Sequence, residues 1–279
     1  MNTNFKGAAN GGKKNNPLSV AVQERDRNTI DLVRDALENN RAMLAYQPIV
    51  QARTPNQTAY YEGLIRIMDR TGRIIPAREF IDEVETTQLG RKIDCIALKQ
   101  GLQTLKMVPD LRLSINMSAR SIGYQKWTQI LDRGLKADPS VAERLILEIT
   151  ESSAMNVPEI VQAFMANLQT RGITFALDDF GAGFTSFRYL KDFYFDIVKI
   201  DGQFIRGIHS NPDNQVLTQA LISIGGHFEM FTVAEMVESE SDARFLMDIG
   251  IDCMQGYYFG VPTVRPRWLV DAENAKRSA

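Results

Sequence analysis

The chain is 279 residues long, 44% hydrophobic and 24% charged, enough apolar material for one large core or two small ones. Its 32 basic and 34 acidic residues leave a formal charge of −2, which excludes a nucleic-acid polymer binder that works by charge alone. Two cysteines, Cys95 and Cys253, give no zinc or redox spacing, and no apolar run approaches the ~20 residues of a membrane span.

The opening stretch, MNTNFKGAANGGKKNNP, lacks the apolar centre of a secretory signal, and its Gly, Asn and Lys content predicts a disordered tail or linker over 1–27. Reduced cysteines and the missing signal point to a cytoplasmic protein. Helical spacing of Ile30, Val33 and Leu37 then begins the ordered region. Strand-like runs follow at 42–50, 58–68, 111–118 and 144–150. Four more lie at 173–179, 195–201, 230–235 and 251–259. Helical patterns separate most of them, as in VPEIVQAFMANLQTRG, which ends on a glycine suited to a helix terminus. This alternation predicts parallel α/β architecture, and eight strands in about 220 residues predict a TIM-like (β/α)8 barrel over 28–265. The rival is a doubly wound open sheet, but no Gly-x-Gly-x-x-Gly follows the first strand. Residues 266–279 read as a short helix or tail, and no second domain is visible.

Near the C-terminal ends of successive strand runs stand Asn116, Glu148, Asp178, Lys199, Glu235 and Gln255. In a barrel those ends converge on one mouth, where the chemistry sits. A period of two puts Glu62, Leu64 and Arg66 on one face of the second run. Taken singly, each position has an ordinary reading: Asp179 as a helix cap, or Lys199 as an ion-pair partner for Asp201. Six such positions in register outweigh those readings. Glu62, Glu148, Asp178, Asp179 and Glu235 cannot all ionise at one mouth without cations. Hard oxygen ligands suit Mg²⁺ or Mn²⁺, and adjacent carboxylates such as Asp178 and Asp179 suit a two-metal hydrolytic site.

The ordered set YYEGLIR, SINMS, LEITES, ALDDFGAGFTSFRYLKDFYFDIVKID, VAEMVE and MQGYYFGVP resembles the motif series of the EAL family, from about Leu32 to Pro262. That family comprises bacterial phosphodiesterases acting on the second messenger cyclic di-GMP. The resemblance implies an EAL-type barrel hydrolysing cyclic di-GMP to linear pGpG with two Mg²⁺ or Mn²⁺ ions, in pathways that govern biofilm and motility. It implies Glu62, Asn116, Glu148 and Asp178 as ligands of one ion. Asp178 would bridge to a second, held also by Asp179 and Glu235. Glu235 doubles as candidate general base, Lys199 orients water and steadies charge, and Gln255 stands beside the attacking water. Gln47, Glu62, Leu64, Arg66 and Asp201 are implied substrate contacts, and Glu151 braces the loop after Asp179. A homodimer is implied, and a regulatory partner protein is compatible. A receptor that binds cyclic di-GMP without turnover is the alternative.

Two positions depart from the family pattern. Gly63 replaces the Ala of Glu-Ala-Leu, and by alternation it faces away from Glu62. Met236 stands where the pattern has Gly; if the backbone there needs φ > 0, methionine is strained and could displace Glu235.

Overall fold

The computed structural model describes residues 17–182 and 190–278. Every predicted strand run forms a strand: β1 Ala42–Gln51, β2 Thr58–Met68, β4 Leu113–Asn116, β5 Leu145–Thr150, β6 Thr174–Phe180, β7 Ile197–Ile200, β8 Phe231–Ala234 and β9 Cys253–Gln255. An unpredicted short strand, β3 Ile74–Pro76, pairs with the far end of β2. The sheet closes through β1–β2 into a ring ordered β1-β2-β4-β5-β6-β7-β8-β9, an eight-stranded barrel. Helices α1 Pro17–Glu38, α2 Ile81–Val84, α3 Gln88–Met107, α4 Gln125–Ala137, α5 Glu151–Asn156 and α6 Pro158–Gln169 belong to its outer layer, with further helices after β7, β8 and β9.

The all-parallel expectation needs one correction. β1 runs antiparallel to both β2 and β9, whereas the steps from β2 through β9 are parallel. Only six residues separate Gln51 from Thr58, too few for the crossover of a dozen or more that parallel neighbours require. A hairpin is the one connection that fits.

The expected tail boundary at residue 27 also falls inside an element. Helix α1 begins at Pro17, with proline in the first turn, where its missing N–H costs nothing. Residues 1–16 of that expected tail lie outside the described residues. At the other end, Arg267–Ser278 is helical, and Trp268 packs edge-on against Tyr46 at 5.0 Å and against Tyr61 at 5.1 Å. No described helix is long and apolar enough to cross a membrane.

Two apolar layers result. One fills the space between barrel and helices, where Leu98, Leu105, Trp127, Phe175 and Leu246 are almost wholly buried. The other lies inside the barrel: Ile49, Tyr60, Ile146, Ala176, Ile197 and Val233. Because side chains alternate along a strand, the residue two positions away points the same way. Above these six therefore stand Gln47, Glu62, Glu148, Asp178, Lys199 and Glu235. The polar tier rests directly on the apolar one.

Candidate active site

Lys199 is the centre of the polar tier. It is 1% exposed, and its Nζ lies 2.8 Å from Glu148, 2.8 Å from Glu235, 3.0 Å from Asp178 and 3.4 Å from Glu62. An ammonium has three N–H donors, so four carboxylates cannot all be satisfied by it. Asp178 Oδ1 is close enough for charge attraction but lacks a hydrogen bond, and Glu148 Oε1 and Gln255 Oε1 are also buried without one.

Amide groups complete the ring. Asn116 Nδ2 donates to Glu62 Oε1 at 2.7 Å, and Gln255 Nε2 donates to Glu62 Oε2 at 2.6 Å and Gln47 Oε1 at 3.1 Å. Gln47, directly opposite Glu62 in the β1–β2 register, donates to the Gly260 carbonyl at 3.1 Å. Antiparallel β1 thus reaches the mouth with its early residues, and the hairpin brings Gln47 to the site.

The charge balance shows what the ring lacks. Burial pushes Glu148 up to about 8, with Glu62 adding repulsion, and burial with Asp178 repulsion raises Glu235 well above its usual range. Partial desolvation and the adjacent Asp178 charge push Asp179 up to about 6. Burial would raise Glu62 too, but Lys199 and the Gln255 and Asn116 amides outweigh it and hold it low. Burial likewise works against the charge on Lys199, yet the surrounding carboxylates keep it protonated. One lysine does not neutralise five carboxylates, so the ring retains protons until cations replace them.

Asp178 and Asp179 are neighbours, and in a regular strand they would face opposite ways. Here the β6–β7 register slips between Leu177 and Phe180, where Leu177 pairs Val198 and Phe180 pairs Ile200. Two residues oppose one, and Asp179 takes a left-handed φ of 56°. This bulge turns both carboxylates to the mouth, where Asp178, Asp179 and Glu235 each bring an oxygen within 4.8 Å of the others. Orphaned buried oxygens, an all-oxygen donor set and paired carboxylates fit hard divalent cations. Asp178, Asp179 and Glu235 surround a position for an ion, while Glu62, Glu148 and Asp178 converge on the Lys199 ammonium.

The remaining expected residues sit around this ring. Glu151, at the start of α5, accepts the Gly181 N–H at 3.0 Å just past the bulge. Most of the following turn, 183–189, lies outside the described residues. Asp201 caps the short helix Gly202–Ile205, its Oδ1 accepting the Gln203 N–H at 2.7 Å. Leu64 is half-buried on the Glu62 face of β2. Arg66 lies further out; burial depresses its pKa, partly offset by Glu62, while nearby Arg78 depresses it further.

Met236 does adopt the left-handed backbone, with φ 54°. Glu235 nevertheless keeps its 2.8 Å contact with Lys199. Space for the methionine comes from Gly202: a Cβ there would lie 2.4 Å from Met236 Sδ and 2.7 Å from its Cβ. Gly63 also has a packing consequence, since an added Cβ would meet Ile115 Cδ1 at 2.7 Å. Ile115 occupies the room of the methyl that alanine would bring.

Sequence reasoning missed Arg78, whose charge reaches Arg66; Tyr257, which lies near that arginine; and Asp94. Asp94 accepts from Ser121 Oγ at 2.5 Å and the Ser118 N–H at 3.2 Å, tying α3 to the turn after Asn116. Arg78 follows the unpredicted β3, and Asp94 lies within a helix, so neither stands at a predicted strand end. Tyr257 sits inside the quoted MQGYYFG, where paired tyrosines beside a glycine were the available signal.

Comparison with known proteins agrees with the barrel fold. The model described as "EAL domain" matches residues 31–262. The signaling protein YkoW of Bacillus subtilis is 33% identical over 235 residues, covering 83% of this chain and 29% of YkoW. The cyclic di-GMP phosphodiesterase PdeF of Escherichia coli is 32% identical over 246 residues, covering 87% of this chain and 32% of PdeF. The chain therefore spans about a third of the length of these relatives. Among solved structures, the PaMucR phosphodiesterase in complex with c-di-GMP superimposes with a TM-score of 0.75 at 28% identity, covering 85% of this chain and 97% of that one.

Proposed function

The chain belongs to the EAL domain family, and from that premise we propose that it is a metal-dependent phosphodiesterase that opens cyclic di-GMP to linear pGpG. The observation that carries the reading is the ring of four carboxylates around one lysine, with Asp179 beside it and buried oxygens left over for cations. Two Mg²⁺ or Mn²⁺ ions, one held by Glu62, Asn116, Glu148 and Asp178 and the other by Asp178, Asp179 and Glu235, would supply water activation, charge neutralisation at phosphorus and stabilisation of the leaving oxygen.

The protein's own groups have separable tasks. Glu235, with its proton affinity raised by burial and by Asp178, is suited to take the proton of the attacking water. Lys199, positioned by its carboxylate partners, directs a fixed positive charge at the phosphate. Gln255 offers its unpartnered Oε1 to that water, while its amide nitrogen keeps Glu62 and Gln47 aligned. Arg66 presents a planar fork to a phosphate, and Arg78 beside it adds a second charge. Gln47, Glu62, Leu64 and Asp201 line the approach, and the exposed ring of Tyr257 is available to stack on a purine. Glu151 holds the Asp179 turn through Gly181. One P–O bond of the ring breaks as water delivers a hydroxyl to phosphorus and a proton to the departing sugar oxygen.

Two further elements belong to the same reading. One is a cytoplasmic location, in keeping with two free thiols. The other is a homodimer using the exposed Val216 and Leu217, on the helix whose Leu221 packs near Gly181. The second functional reading, a cyclic di-GMP receptor serving a partner protein, draws on one observation, the strained Met236 beside Glu235.

Incubation with cyclic di-GMP and Mn²⁺ or Mg²⁺, followed by nucleotide chromatography, tests the proposal. Metal-dependent pGpG that disappears with EDTA, and in Glu62→Ala and Glu235→Ala, is the expected result. Undiminished hydrolysis by Glu235→Ala would overturn the site. Intact nucleotide with calorimetric binding would favour the receptor, and neither turnover nor binding would sink both readings.

A further inference from the structure

Asn116 is the last residue of β4, and on the β2 side the ladder has already ended, with Gly63 opposite Ile115. The β5 side still holds it, through its pairing with Glu148 and through the next N–H, which Met117 donates to the Glu148 carbonyl at 2.9 Å. How the Asn116 side chain leaves the strand therefore depends on the turn that follows, residues 117–121.

A connecting turn is ordinarily a surface segment with freedom to move. This one is fastened from three elements. Asp94, on α3, accepts from the Ser121 hydroxyl at 2.5 Å and from the Ser118 N–H at 3.2 Å, both on the same carboxylate oxygen. Glu85, which closes α2, accepts from the Ser118 hydroxyl at 3.1 Å. Ser153, on α5, accepts the Ala119 N–H at 2.9 Å.

Asp94 is the costly member of this set. It is 9% exposed, in a helix whose neighbouring buried residues Ile93, Cys95, Ala97 and Leu98 are apolar. A carboxyl there is unfavourable unless it is hydrogen-bonded, and α3 would pack as well around an apolar side chain. Both of its donors among the described residues come from the turn, and Ser121 is itself fully buried. What Asp94 holds is thus the segment just beyond Asn116, without a hydrogen bond to the carboxylate ring.

We infer that Asp94 is a positioning residue for the cation site. By fixing the turn it keeps Asn116 at the mouth with Nδ2 on Glu62 Oε1 at 2.7 Å, leaving the amide oxygen as the coordinating atom. The inference rests on the phosphodiesterase reading, in which Asn116 is a metal ligand, and adds to it a residue outside the ring.

Calorimetric titration of the metal-free chain with Mg²⁺ reads this role without turnover. Asp94→Ala removes the acceptor and should weaken Mg²⁺ binding by about tenfold or more, the scale found for lost outer-shell partners. Asp94→Asn keeps an oxygen where both donors point, so its affinity should stay within about threefold of the parent's. In an Asn116→Ala background, Asp94→Ala should cost about twofold or less, because no amide is left to position. A role in folding alone predicts lost stability with Mg²⁺ affinity unchanged. Should circular dichroism show Asp94→Ala unfolded, Ser121→Ala deletes one of the two bonds with less disturbance and should weaken binding about threefold. Parent affinity in folded Asp94→Ala or in Ser121→Ala, equal losses in Asp94→Asn and Asp94→Ala, or additive effects in the cycle would each overturn the positioning role. A parent chain that binds no Mg²⁺ would overturn the metal reading of the ring itself, and this role with it.

Discussion

Lys199 and Met236 are the residues on which this site turns. Lys199 is the only cation within the carboxylate ring among the described residues, so Lys199→Met leaves buried anions facing one another. Removing one partner of a buried ion pair costs about 3–5 kcal/mol. The metal-free variant should lose roughly that much stability by denaturant titration, and Mg²⁺ should restore part of it. Turnover should fall by about 10²-fold or more even at saturating metal, because the charge proposed to act on the phosphate is gone. Met236 is a different case. A non-glycine residue in the left-handed region costs about 1–2 kcal/mol, so Met236→Gly should raise stability by about 1 kcal/mol once lost packing is subtracted. Gly202→Ala should destabilise the parent chain, because its new methyl meets Met236 Cβ and Cγ as well as Sδ. In the Met236→Gly background the same change should be nearly neutral. Additive thermal shifts in that double-mutant cycle would refute the Gly202–Met236 coupling.

At the level of elements, the β6 bulge decides how the acidic pair is used. Asp179→Gly keeps a residue at ease with φ 56° while deleting one carboxylate. The fold should survive with unchanged circular dichroism. The Mg²⁺ concentration for half-maximal turnover should rise by at least about tenfold, the scale seen for lesser perturbations of metal sites. Little of this was legible beforehand. Asp-Asp-Phe-Gly announced something unusual, but strand periodicity by itself points Asp179 away from Asp178, and only pairing with β7 shows the slipped register. The reversed strand was nearer to the surface of the sequence. The six residues between Gln51 and Thr58 already forbid a parallel crossover, and loop length, weighed against strand count, would have revealed it. β3 was invisible because three residues at a sheet edge carry no period.

For the whole molecule, the balance of clustered acids makes stability depend on pH and metal together. In the metal-free chain, Asp94 and Glu148 are pushed up to about 7 and about 8 chiefly by burial, and the more exposed Asp179 to about 6 by partial desolvation and the adjacent Asp178 charge. Groups raised in this way bind more protons folded than unfolded. Stability should therefore be greatest at mildly acidic pH, near ordinary carboxylate values, and should decline as pH climbs through about 6 to 8. Chemical denaturation in EDTA across that window measures the slope. Mg²⁺ should flatten it by neutralising Asp179 and Glu148, leaving a residual slope from Asp94, which Asp94→Asn should remove. A metal-free stability that rises with pH through this window would contradict the charge balance derived for the ring.

By itself the sequence determined the strand positions, the barrel class and the identity of the polar tier. These follow from local quantities: the period of two along each strand, the apolar runs, and polar residues recurring where strands end. Tertiary structure alone decided the direction of β1, the bulge that turns Asp178 and Asp179 the same way, and the gathering of four carboxylates on one lysine. It also decided the clearance that Gly202 gives Met236 and the hydrogen bonds that tie Asp94 to the turn after Asn116. Each of these depends on contacts between residues distant along the chain, and a periodicity read within one segment carries no information about its neighbour across the sheet.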